Sequence, residues 1–144
     1  MLEFSRGPKL TESVHLKWAF VEWEITPFVG MGPVRFGMTP SEVEAIIGAP
    51  MVVDDDDDDP SYRKEVREID VPTITYEGNR VAEIKAFDSV KNVRLKTVNL
   101  FENTGLSVLK DLQALNHGAL ANVGIVLFEN LGITTGCLDS KVAL

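Results

Sequence analysis

Six consecutive aspartates, Asp54 to Asp59, closed by Pro60, restrict this chain more than any other segment. Carboxylates at that spacing repel one another and cannot enter an apolar interior. Any fold must therefore keep the segment at its surface, and an exposed loop is expected there. The rest of the sequence has the means to build around it. Hydrophobic residues make up 44% and charged residues 25% of 144 positions, which suits one domain over 1–144 whose core needs neither disulfide nor metal.

Short strands dominate the pattern. His15 to Ile25 is rich in aromatic and β-branched residues. As a strand it puts Trp18, Phe20 and Glu22 on one face and Ala19, Val21 and Trp23 on the other. Thr26 to Gly37 is punctuated by glycine and proline and is expected as a loop. Met51 to Val53 is expected as a short strand leading into the aspartates. Val71 to Tyr76 and Val81 to Phe87 predict a hairpin, because Gly78 and Asn79 between them are residues that tolerate positive φ. Val93 to Leu100 alternates as a further strand. Val123 to Phe128 and Ile133 to Leu138 predict a second hairpin around Asn130 and Gly132.

Two helices are expected. Thr39 to Gly48 carries its own termini: Thr39 as N-cap, Pro40 where a missing N–H costs nothing, and Glu42 completing a capping box. Gly48 and Pro50 stop it, and Val43, Ile46 and Ile47 form its apolar stripe. Leu106 to Leu115 is the second, with Leu106, Leu109, Leu112 and Leu115 as its stripe. The expected fold is α+β: an antiparallel sheet of about six or seven strands with two short helices packed on one side. The order strand, helix, hairpin recurs, so residues 32–87 and 98–138 can be laid over one another as an internal repeat.

Charge narrows the partners. A net charge of −8 disfavours nucleic acid and anionic membrane and favours a basic protein. No stretch approaches the ~18 apolar residues of a membrane span. Met1 to Pro8 contains no apolar run of the signal-peptide kind, and Cys137 is the sole cysteine. Together these predict a cytoplasmic location.

Residues that could carry chemistry are sparse. His15 and His117 stand in different elements with no ligand spacing between them, and His117 is placed as the C-terminal cap of the second helix. Cys137 has no base beside it in the sequence. The carboxylate pairs Glu22 with Glu24 and Glu42 with Glu44 are what a chain with 22 acidic residues produces by chance. Asp54, Asp56, Asp58 and Glu65 reproduce the first, third, fifth and twelfth positions of a calcium loop. Asp59 replaces the required glycine and Pro60 follows, so no metal site is expected, and no cofactor is implied.

The segment Gly32-Pro33-Val34-Arg35-Phe36-Gly37-Met38-Thr39-Pro40-Ser41-Glu42-Val43, continuing to Ile47-Gly48-Ala49-Pro50, carries a resemblance. It resembles the Gly-Met-Thr, helix, Leu-Gly-x-Pro signature of the SmpA/OmlA-type lipoproteins and of the β-lactamase-inhibitory-protein-like fold. It is also similar to the opening of small bacterial cytoplasmic proteins, some of them immunity proteins of toxin systems. The resemblance implies a tandem strand–helix–hairpin organisation and a role in binding another protein.

These features converge on a small acidic protein-binding domain, an immunity-type inhibitor that neutralises a basic cognate toxin. Asp54, Asp55, Asp56, Asp57, Asp58 and Asp59 are its expected electrostatic element, with Tyr62 and Trp23 as aromatic anchors. Two other classes compete with it. One is a small-ligand-binding or homodimeric scaffold module joined through an open sheet edge. The other is an enzyme using Cys137 or a carboxylate pair in a pocket, which a deep cleft converging on Cys137 and His117 would mark.

Overall fold

The computed structural model describes residues 1–6, 18 and 21–136. Its elements are β1 (Leu2–Ser5), β2 (Trp23–Thr26), β3 (Gly30–Met31), β4 (Val34–Arg35), α1 (Pro40–Ile47), β5 (Val52–Asp55), β6 (Arg63–Val66), β7 (Thr73–Glu77), β8 (Arg80–Phe87), β9 (Val93–Leu95), β10 (Val98–Asn99), α2 (Gly105–Asn116), β11 (Leu120–Asn122), β12 (Ile125–Phe128) and β13 (Ile133–Gly136). The strands form an eight-stranded sheet, ordered β11-β12-β13-β1-β8-β7-β6-β5, and a five-stranded sheet, ordered β10-β9-β2-β3-β4. The expected mixture of two helices with a strand-rich framework is present. The sheets are mixed rather than antiparallel, because β1 runs parallel to both β8 and β13, and β2 runs parallel to β9.

Local chemistry explains the elements that form as expected. The Glu42 backbone N–H donates to Thr39 Oγ1 at 3.3 Å, closing the N-terminus of α1, and the Gly48 N–H returns to the Glu44 carbonyl at its end. Gly78 and Asn79 both take positive φ, 59° and 58°, the pair that a two-residue turn between twisted strands requires. His117 caps α2 in the left-handed region, with its N–H directed at the Ala114 and Gln113 carbonyls.

Other expectations are corrected. Among the described residues of 15–25, strand begins at Trp23, in β2; Trp18 lies in a turn, and its N–H donates to Asp70 Oδ2 at 2.7 Å. His15, Ala19, Phe20, Cys137 and Leu138 lie outside the described residues. Thr26 to Gly37 is not a plain loop, since β3 and β4 pair within it. Gly32 turns between them at φ +56°, so close to Trp23 that an added Cβ would sit 2.8 Å from the indole. The alternating run from Val93 breaks at Lys96, where φ becomes 53°, and folds back as β9 and β10. In α2 the buried positions are Gly105, Val108, Leu112 and Asn116, while Leu106 is exposed. At 3.6 residues per turn, a stripe spaced by threes drifts round the helix, so Leu106 and Leu115 point about half a turn apart. In α1, Val43 and Ile47 are buried and Ile46 is exposed.

One face of the large sheet carries the interior. Leu2 and Phe4 of β1 are level with Ile84 and Ala86 of β8 and with Ile133 and Thr135 of β13, and all six are buried. Val43 and Ile47 from α1 and Val108 and Leu112 from α2 join the same cluster. The Phe4 and Phe101 rings meet edge to face, 6.2 Å between centroids.

A buried carboxylate also lies on that face. Glu65 of β6 is 1% exposed and is level with Val53 and Ile74. Tyr76 donates its hydroxyl to Glu65 Oε1 at 2.8 Å, and Arg67 donates Nη2 to the same oxygen at 3.1 Å. Arg63 donates Nε to Oε2 at 3.2 Å. Arg67 Nε donates to the Gly48 carbonyl at 2.9 Å, which ties the C-terminal end of α1 to the sheet. Burial, with the neighbouring Glu65, pushes the Tyr76 phenol well above its usual range. Replacing Glu65 by leucine alone strands the Arg67 charge and should cost roughly 3–5 kcal/mol in urea unfolding. The double replacement Glu65→Leu with Arg67→Met should recover most of that loss, and additive losses would show that the pair is not coupled.

Candidate functional site

The second face of the large sheet differs in chemistry from the first. Its rows follow from the register. Asp54 of β5 faces Lys64 of β6, Lys64 faces Thr75 of β7, and Thr75 faces Glu83 of β8. In the next row Thr73 faces Lys85, and Lys85 faces Glu3 of β1, with an ion pair of 2.9 Å between their charged groups. Charged and hydroxyl side chains thus run across the strands where the opposite face has leucine, isoleucine and phenylalanine. A groove of about 410 Å³ opens here, lined by residues that include Tyr62, Lys64, Thr75, Glu77, Glu83 and Lys85.

The acidic run adjoins this groove. It is not wholly a loop, because Asp54 and Asp55 belong to β5, the last strand of the sheet, opposite Lys64 and Arg63. Asp56 to Asp59 leave the sheet and are held by local bonds. The Asp58 N–H donates to Asp56 Oδ1 at 2.9 Å, and Ser61 donates both its N–H and its hydroxyl to Asp59 Oδ1. Those donations from Ser61 hold the Asp59 carboxyl below its ordinary range. All six aspartates are exposed, and none of them makes an ion pair within 4.0 Å among the described residues. Of the two cations opposite them in register, Arg63 is committed to Glu65 instead. Tyr62 follows directly, half-buried on the wall of the groove, its N–H donating to the Asp59 carbonyl at 3.0 Å.

The structure therefore brings Asp54 to Asp59 and Tyr62 together at one end of the sheet. It does not bring Trp23 to them. Trp23 is 0% exposed, enclosed by the five-stranded sheet and Gly32, and as a core residue it cannot anchor a partner. Lys64 and Glu83 were not singled out in the sequence, because their place in the groove depends on which strands pair with which.

Other candidates are accounted for by their contacts. Glu65 turns to the covered face while Asp54 lies on the groove face, so the calcium-loop spacing does not converge on one point. Among the described residues no group of three His, Cys, Asp or Glu side chains is placed to hold a metal ion. Glu22 and Glu24 share Arg94, at 2.9 Å and 3.9 Å. Among the described residues no helix is long and apolar enough to cross a membrane.

Comparison with protein-family models, with curated proteins and with solved structures finds no match to this chain.

Within the groove, partial burial and the nearby Glu3 carboxylate raise the Glu83 carboxyl above its ordinary value of 4.5. A raised carboxyl favours the folded state only while protonated, so its contribution is present at and below that value and is lost as pH climbs through the higher folded value. Glu83→Gln should therefore stabilise the chain at neutral pH and lose that advantage below about pH 4.5. Thermal unfolding of both proteins across pH 4–8 checks this, and a pH-independent difference would contradict it.

Proposed function

We propose that this chain is a protein-binding domain that captures a basic partner with Asp54 to Asp59 and the adjoining groove. The observation that carries the reading is that six exposed aspartates lie at the rim of a large sheet with no cation within ion-pairing distance among the described residues. A cluster of like charges at that density raises the local potential without benefit to folding, and a basic surface relieves it. Attraction over such a patch speeds encounter more than it slows release, and added salt weakens it. Tyr62 supports the reading as an aromatic contact beside the charges, large in area and restricted in rotamers.

An immunity-type inhibitor of a basic toxin is the biological form this reading takes, in keeping with the resemblance noted for Gly32 to Pro50. The equivalent places of β8 and β13 on either side of β1 support reading 32–87 and 98–138 as two copies of one strand–helix–hairpin unit. A cytoplasmic location belongs to the same proposal.

Capture from a lysate of the source cells, by the chain and by a variant with Asp54, Asp55, Asp57 and Asp58 changed to asparagine, tests it. One basic protein should be retained at low salt by the parent, released as salt rises, and bound at least tenfold more slowly by the variant. The variant should unfold within about 0.5 kcal/mol of the parent, since it removes only surface charge. Equal capture by both would sink the assignment.

A further inference from the structure

The strand that begins the acidic run also ends the sheet. β5 pairs with β6 on one side, and among the described residues no strand lies on its other side. Such an edge presents unpaired N–H and C=O groups along its length, ready to accept another extended segment. Asp54 and Asp55 bar it to an uncharged or acidic strand, while its other two residues are apolar. Val52 and Val53 are 56% and 40% exposed, and they precede Asp54 and Asp55 directly.

Charge decides what this edge accepts. Reading outward across the sheet, Arg63 and Lys64 stand on β6, and Asp55 and Asp54 stand opposite them on β5. A third strand completes the alternation of sign only if it is basic there, since opposite charges across strands stabilise and like charges do not. A second copy of this chain is disfavoured, because pairing two β5 edges would bring two runs of six aspartates together. The opposite edge, β11, carries only Leu120, Ala121 and Asn122 and offers no such selection. Alternation of faces fixes the rest: Val52 and Asp54 share the groove face with Lys64, and Val53 and Asp55 share the covered face with Glu65.

We infer that β5 accepts, as a ninth strand, an extended segment of a partner that bears two adjacent basic residues next to two β-branched ones. The basic pair lies across from Asp54 and Asp55, and the branched pair lies across from Val52 and Val53. Main-chain bonds along the edge supply affinity, and the carboxylates supply selection. This inference rests on the protein-binding reading and specifies how that binding is made.

A labelled ten-residue peptide centred on Arg-Lys-Val-Ile, titrated against the full chain by fluorescence anisotropy, tests it. Two further peptides carry N-methyl groups on alternate backbone amides, one set on each edge of the extended peptide. Methylation on one edge should weaken binding at least tenfold and methylation on the other should leave it unchanged, because only one edge faces β5. Asp54→Lys with Asp55→Lys should lose the parent peptide tenfold and gain a Glu-Glu-Val-Ile counterpart. Equal binding of both methylated peptides overturns the ninth-strand geometry and leaves attraction by charge intact. No peptide binding by a chain that still captures its basic partner overturns the segment chemistry alone. Failure of both peptide binding and capture overturns the protein-binding reading as well.

Discussion

A sheet that buries one face and leaves the other polar has to sort its residues by parity, and the rest of this structure follows from that sorting. In β1 the sorting is complete within four residues: Leu2 and Phe4 go inward, Glu3 and Ser5 outward. A slip of one residue in any strand would exchange the two sets. The one irregularity in the β7–β8 pair serves the same rule. Thr75 faces Glu83 but Tyr76 faces Val81, so Ala82 is accommodated as an extra residue and both Val81 and Ile84 remain inside.

Glu65 and Arg67 break that sorting, since they are buried charges on the apolar face. The two Glu65 oxygens accept from Tyr76, Arg67 and Arg63, and Arg67 reaches on to Gly48. Desolvating the ions offsets much of their attraction, so the network contributes less to net stability than to register. Glu65 has its partners in only one alignment of β6 with β7. The groove face benefits, because that same alignment delivers Lys64 and Thr75 to adjoining places.

What could be read in advance follows the range of the interaction responsible. The cap at Thr39, the stop at Gly48 and the turn at Gly78 and Asn79 are settled by neighbours in sequence, and all were legible. The strand Arg63–Val66 was not, because Arg-Lys-Glu-Val shows no apolar alternation until Arg67 and Tyr76 are known to receive Glu65. β1 was missed for a related reason: four residues give almost no periodicity, and their importance comes from two distant strands. The leucine spacing of α2 misled because apolar residues also occupy surfaces, where Leu106 sits. In the site, the exposure of the aspartates was legible from their mutual repulsion. Their division between a sheet edge and a turn was not.

The central position of β1 has a consequence for how the chain reaches its fold. Leu2 and Phe4 meet Ile133 and Thr135, about 130 residues away along the chain. Contacts of such sequence separation require closing a large loop before any energy is returned, and they slow folding. During synthesis β1 emerges long before β13, so its apolar face must wait, while β7 and β8 can already pair through their tight turn. The two flanks of the sheet can therefore form first, and β1, made before either of its neighbours, joins them last.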